Sequence, residues 1–162
     1  MSCDCSFVNR ENMKRKTILV LTPVAVILIG AFWVGLLIFQ ESKKLADFHL
    51  VPISDQEDRA YYNDKDSYTI QYVPKKSISP LFGLAKNEFG HKIALIDQEL
   101  PLDMRTFVVR HELYHLQDNM HKNRLSREIN ASLAAIPYSP TGFLKTLWKT
   151  VTSFKRLKYY FN

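Results

Sequence analysis

The hydrophobic and polar positions of this chain follow one pattern without period, then a period of two, then a period of three to four. From Thr17 to Gln40 there is no charged residue, only a run rich in Ile, Leu, Val, Phe and Ala between Lys16 and Glu41. A helix of about 20 apolar residues crosses a bilayer core, and this run leaves no polar face, so residues 17–40 predict a transmembrane anchor. A signal peptide has a shorter apolar core and a small-residue cleavage site, and Phe39 to Lys44 contain no A-x-A step. Residues 1–16 then read as a short tail. Residues 41–66, polar and acidic in places, read as a juxtamembrane connector with a short helix around Asp55 to Tyr62.

The alternating segment Ser67 to Val73, rich in aromatic and β-branched residues, predicts a strand that Pro74 ends. Leu81 to Ala85 and His91 to Ile96 flank a Gly90-containing turn and predict a hairpin. Pro101 breaks the chain, and Asp103 can cap a helix over about Met104 to Met120. Ser126 is a good N-cap for a second helix through Ala134 or Ala135, which Pro137 stops. Apolar positions spaced by three and four from Phe143 to Leu157 predict a last, amphipathic helix over about Thr141 to Tyr159. The expected class is α+β: an N-terminal transmembrane helix, then a small antiparallel or mixed sheet packed on two helices, then the C-terminal helix.

Charge and cysteine content narrow the context. The net charge of +6 gathers at the ends, and from Pro137 to Asn162 there are five basic residues and no acid. A basic C-terminal helix beside a bilayer suits anionic headgroups, although its pattern alone is that of a core helix with solvated lysines. No nucleic-acid motif accompanies the charge, so no nucleic-acid partner is expected. Arg10, Lys14, Arg15 and Lys16 precede the span, while Lys43, Lys44 and Arg59 follow it more loosely. That bias favours a cytoplasmic N-terminus and an extracytoplasmic main domain. Cys3 and Cys5 both lie in the tail, so no disulfide framework holds the domain.

The chemistry-bearing stretch is His111-Glu112-Leu113-Tyr114-His115, an HExxH run on the predicted helix. One helical turn separates the histidines, so both imidazoles project from one face and can share a metal ion. Glu112 between them can take a proton from metal-activated water. Zinc sites that hydrolyse peptides use three protein ligands and keep one position for water. Glu128 is one candidate for the third: an antiparallel helical hairpin turning near His121-Lys122 puts it opposite His115. His121 is the other. The spacing His111, His115, His121 follows the three-histidine pattern except that Asp118 stands for its glycine, and no methionine follows Met120 to form the expected turn. Tyr138, Arg127 and Tyr114 are candidate donors to an oxyanion. The bland alternative makes the histidines structural, with Glu112 paired to Arg110 or Arg127.

The stretch from Lys92-Ile93-Ala94-Leu95-Ile96 through Leu102 to His115, with Glu128-Ile129-Asn130-Ala131 after it, resembles the small gluzincin metallopeptidases typified by the ImmA/IrrE group. Those show a strand, a connector, a helix with HELxH and a helix with E-x-x-A. The resemblance covers roughly residues 90 to 136. It departs from that group in a shorter interval from His115 to Glu128 and in the anchor. It implies a minimal zincin-like domain over 67–162, Zn²⁺ on His111, His115 and Glu128, a peptide or protein substrate, and His91 to Ile96 as the sheet edge that holds it. The function expected is a membrane-anchored zinc metallopeptidase with Glu112 as general base. The competing expectation is a membrane-anchored binding or regulatory module with a structural or vestigial zinc site.

Overall fold

A computed structural model describes residues 7–62, 66–117 and 123–161, with side chains over 26–158 of that range. The chain divides after Leu37 into two units. The first consists of helix α1 (Phe7–Ala46) up to Leu37. Val26, Ile27, Leu28, Ile29, Phe32 and Trp33 are all exposed on it. The segment Val26–Ala46, with a mean hydropathy of 1.5, is long and apolar enough to cross a membrane.

The second unit, Ile38–Asn162, is α+β. It begins with the last turns of α1 and continues into strands β1 (Phe48–Ser54), β2 (Glu57–Tyr62) and β3 (Asp66–Val73). Next come β4 (Gly83–Glu88), β5 (His91–Asp97), and helices α2 (Leu102–Gln117), α3 (Arg124–Ala135), α4 (Pro140–Val151) and α5 (Phe154–Phe161). The five strands form one mixed sheet in the order β1-β2-β3-β5-β4. All neighbours are antiparallel except β3 and β5, which run parallel with Ile70 opposite Ala94 and Tyr72 opposite Ile96.

The period-two signal sets which face is covered. Ala60, Tyr68, Ile70, Ala94 and Ile96 are buried on the face toward the helices, while their sequence neighbours are more exposed. α2 packs on β4 and β5 and also on α3 and α4: Met104, Phe107, Val108, Leu113 and Tyr114 share one core with that face and with Ala131, Ala134 and Ala135 of α3, and Phe107 meets Phe143 of α4 with ring centroids 5.6 Å apart. Sandwiched in this way, α2 has no clean polar face. Leu45, at the end of α1, is fully buried in the same core.

Four expectations change. Residues 48–62, read as part of a connector with a short helix, form the β1–β2 hairpin instead. Ala60 and Tyr62 point inward and alternate with Arg59 and Tyr61, a pattern that Glu57 and Asp58 disguise, and β1 is an exposed edge with Pro52 beside its bulge. The strand expected at the edge, His91 to Ile96, is interior, because β5 is paired on both sides, to β3 and to β4. The edge beside α2 is β4. The second helix starts earlier than Ser126, because Asn123 caps it: its side chain accepts the Leu125 amide at 2.9 Å. The single helix expected over Thr141–Tyr159 is two. The β-branched run Thr150-Val151-Thr152 resists helix, and the Thr150 and Thr152 hydroxyls bond back to Thr146 and Trp148 carbonyls. The Ser153 carbonyl then accepts the Arg156 and Leu157 amides and starts α5.

The β4–β5 hairpin turns on Phe89 and Gly90, both with positive φ (50° and 84°), as a two-residue loop of this twist requires. Arg156 of α5 covers the Phe82 ring at 3.9 Å and donates from Nε to the Pro80 carbonyl at 2.6 Å, which holds α5 beside the start of β4.

Candidate metal centre

The i, i+4 spacing of α2 puts His111 and His115 on one face, with their Nε2 atoms 3.1 Å apart. α3 brings Glu128 to both. Its Oε2 lies 3.3 Å from His111 Nε2, and its Oε1 lies 3.5 Å from His115 Nε2. The close approach of α3 to α2 depends on small side chains, the buried Ala131, Ala134 and Ala135. The three donors offer one ligand atom each, all within 4.8 Å of one another, and the group can hold a metal ion. Ser132, one turn after Glu128 on α3, has its Oγ 3.4 Å from His111 Nδ1, which orients the imidazole so that Nε2 faces the cluster. His115 Nδ1 is buried and has no partner among the described residues. His121, the rival third ligand, lies outside the described residues.

The fields at these groups point in different directions. Burial alone would push the Glu128 carboxyl up, but hydrogen bonds from His111 and His115 and their charges hold it far below the usual carboxylate range. Burial would lower the His111 imidazole, yet the Glu128 hydrogen bond and the charges of Glu112 and Glu128 raise it overall. Glu112 is pushed up by burial against the opposing pull of both imidazoles. A carboxyl with a raised pKa beside two histidines is a group prepared to accept a proton.

Glu112 is fixed by β4. The Ala85 backbone N–H donates to its carboxylate. Gly83 passes so close that a Cβ there would stand 2.7 Å from Glu112 Cγ and Oε1 and from Val108 Cγ1. Arg110 is engaged elsewhere than the bland reading expects. That side chain instead donates to the Leu45 carbonyl at 3.2 Å and lies over the Tyr138 ring at 4.4 Å.

The three oxyanion candidates separate. Tyr114 donates from its hydroxyl to Glu41 at 2.7 Å and accepts Lys44 at 3.1 Å, with its pKa pushed up to about 12 by burial and by Glu41. Tyr138 lies beneath Arg110. Only Arg127 lines the cleft of about 740 Å³ that contains His111, Glu112, His115 and Glu128. Gly83, Ala85, Ser132, Arg124, Lys155 and Lys158 also stand at the site, and sequence reasoning passed over them. An isolated glycine in an alternating strand is a signal of close backbone approach, and Gly83 carried it. The lysines carried none, because the break before α5 aims them.

Comparison of the chain with protein-family models, with characterised proteins and with solved structures finds no match.

Proposed function

We propose that the chain is a membrane-anchored zinc metallopeptidase of gluzincin type with a zincin-like domain, resembling the ImmA/IrrE group. The observation that carries this reading is the convergence of His111, His115 and Glu128 on one point beside the buried Glu112. Two imidazole nitrogens and one carboxylate are the donor set of a catalytic zinc, which keeps a fourth position open. At ligand distances of about 2.0–2.1 Å, tetrahedral donors stand about 3.3–3.4 Å apart. The 3.1 Å between the two Nε2 atoms and the 3.3 Å from Glu128 Oε2 to His111 Nε2 lie near that edge, and one ligand atom from each of the three residues falls within 4.8 Å of the others.

Zinc, when bound, polarises a scissile carbonyl and acidifies a water. The protein supplies the rest. Glu112 Oε takes the water proton and returns it to the leaving amine. The Ala85 N–H and the bare Gly83 backbone hold that carboxylate in place. The free edge of β4 pairs with an extended substrate backbone, and Arg127 faces the carbonyl oxygen as charge develops. The exposed apolar surface of α1 anchors the chain, with the N-terminal basic cluster on the cytoplasmic side and the domain on the other.

The test is metal content and turnover of the detergent-solubilised full chain. One zinc per chain in the wild type, lost in Glu128→Ala, together with cleavage of an unstructured peptide mixture, supports the reading. Zinc retained without turnover on any peptide turns the protein into a membrane-anchored binding module with a structural metal.

A further inference from the structure

Two pockets meet at the metal centre and share Gly83, His111, Glu112 and Glu128. They differ in character. The larger is rimmed by Arg124 and Arg127 at the start of α3 and by Lys155 and Lys158 of α5, and among the described residues its acidic lining groups are Glu112 and Glu128 of the centre itself. The smaller, about 410 Å³, runs between α3 and α4 over Phe107, Leu133, Phe143 and Leu147.

From this pairing we propose that the site takes peptide segments in which a large apolar residue adjoins acidic residues. The inference rests on the peptidase reading and specifies its substrate class. The apolar side chain enters the α3–α4 pocket, whose lining suits an aromatic or branched aliphatic group and whose volume admits one with room to spare. The acidic residues lie along the cleft against the two basic walls. Glu128 and Glu112 belong to the centre, and beyond them the charged side chains that line the cleft among the described residues are basic, with Lys155 and Lys158 exposed on α5. Positive walls on both sides raise the local concentration of an acidic segment and repel a basic one. The two walls belong to separate elements, α3 and α5. Arg156 holds the second in place through Phe82 and Pro80, so the charge is built into the fold.

The test separates recognition from turnover. Labelled peptides with a central Leu-Phe step flanked by Glu, by Gln or by Lys are titrated by fluorescence anisotropy into the zinc-loaded full chain carrying Glu112→Gln. The Glu-flanked peptide should bind about tenfold more tightly than the Lys-flanked one, with the difference shrinking as salt rises. Lys155→Gln with Lys158→Gln, both on an exposed surface, should reduce the preference and leave the melting temperature unchanged. Arg124→Gln provides the same check from the other wall. Replacing the Leu-Phe step by Ser-Ser should weaken all three peptides. Equal binding of the three, tighter binding of the Lys-flanked one, no binding of any, or a preference untouched by both sets of variants would overturn the proposal. Wild-type hydrolysis is measured separately: cleavage without acidic preference sinks the substrate class alone, and acidic binding without cleavage sinks the peptidase reading alone.

Discussion

Glu112 and Glu128 are carboxylates on adjacent helices, and their surroundings push them in opposite directions. Burial raises Glu112, and two imidazoles hold Glu128 low. Their replacements should therefore fail differently. Glu112→Gln preserves shape and should keep one zinc while lowering hydrolysis by about 10²–10⁴-fold, measured as kcat with metal content determined on the same sample. Glu128→Ala should lose the metal itself, seen by elemental analysis. Gly83 sets a limit of another kind. Gly83→Ala puts a methyl against Glu112 and Val108, and overpacking there should cost about 1–3 kcal/mol in chemical denaturation and displace the Glu112 carboxylate. At this scale the sequence was most readable. The HExxH spacing and the mirror position of Glu128 follow from helical geometry. Gly83 was readable only as a strand irregularity, because the group it approaches lies 29 positions along the chain, counting from Gly83 to Glu112.

Elements position these residues, and element ends carry the fold's electrostatics. At the start of α2, the Lys145 ammonium of α4 donates to Asp103 at 2.6 Å, and that hydrogen bond, with the Met104 amide, holds the carboxyl below its usual range. A carboxyl with a lowered folded pKa contributes stability that is present above its unfolded value and lost as pH falls through the folded one. Asp103→Asn should therefore lower stability at neutral pH, and the difference from wild type should fade as pH falls below about 4, measured by denaturation across pH. Gly142 lies against the Asp103 carbonyl and Ser139 Oγ at the same junction, where a side chain has no space. The strand and helix cores were legible from period, but the neighbours of each strand were not. Alternation reports that His91–Asp97 has an inner face. It does not report that a parallel partner, β3, takes one of its edges, which makes β4 the free one.

Across the whole chain, the compact α+β unit begins at Ile38, inside the segment Val26–Ala46 that hydropathy marks as long and apolar enough to cross a membrane. Hydropathy counts residues such as Leu45 by their apolarity alone, whereas packing assigns them to a core. Leu45 is fully buried, its carbonyl receives Arg110, and Glu41 and Lys44 meet Tyr114. A fragment beginning at Ile38 should fold, and one beginning at Asp47 should be destabilised by roughly 2–5 kcal/mol, the usual cost of removing a buried leucine. Thermal melts of the two fragments check this. The β1–β2 hairpin was hidden for a related reason: Asp58 shares the inner face with Ala60, where it accepts the Tyr72 hydroxyl, and β1 is exposed after Phe48, so the apolar alternation is interrupted.

The clasp between α2 and α3 bears on how long each copy of the protein survives. Its donors come from two helices, and no disulfide reinforces them, since both cysteines lie near the N-terminus. An ion chelated there ties the helices together and is released on unfolding, so occupancy adds to folding free energy by mass action, about 2.7 kcal/mol at a free concentration a hundred times Kd. A cell starved of that ion would hold the same number of newly made chains but a loosened population, preferentially cleared by quality-control proteases. Metal supply would then set abundance as well as activity, and the protein would report on the metal economy of its compartment.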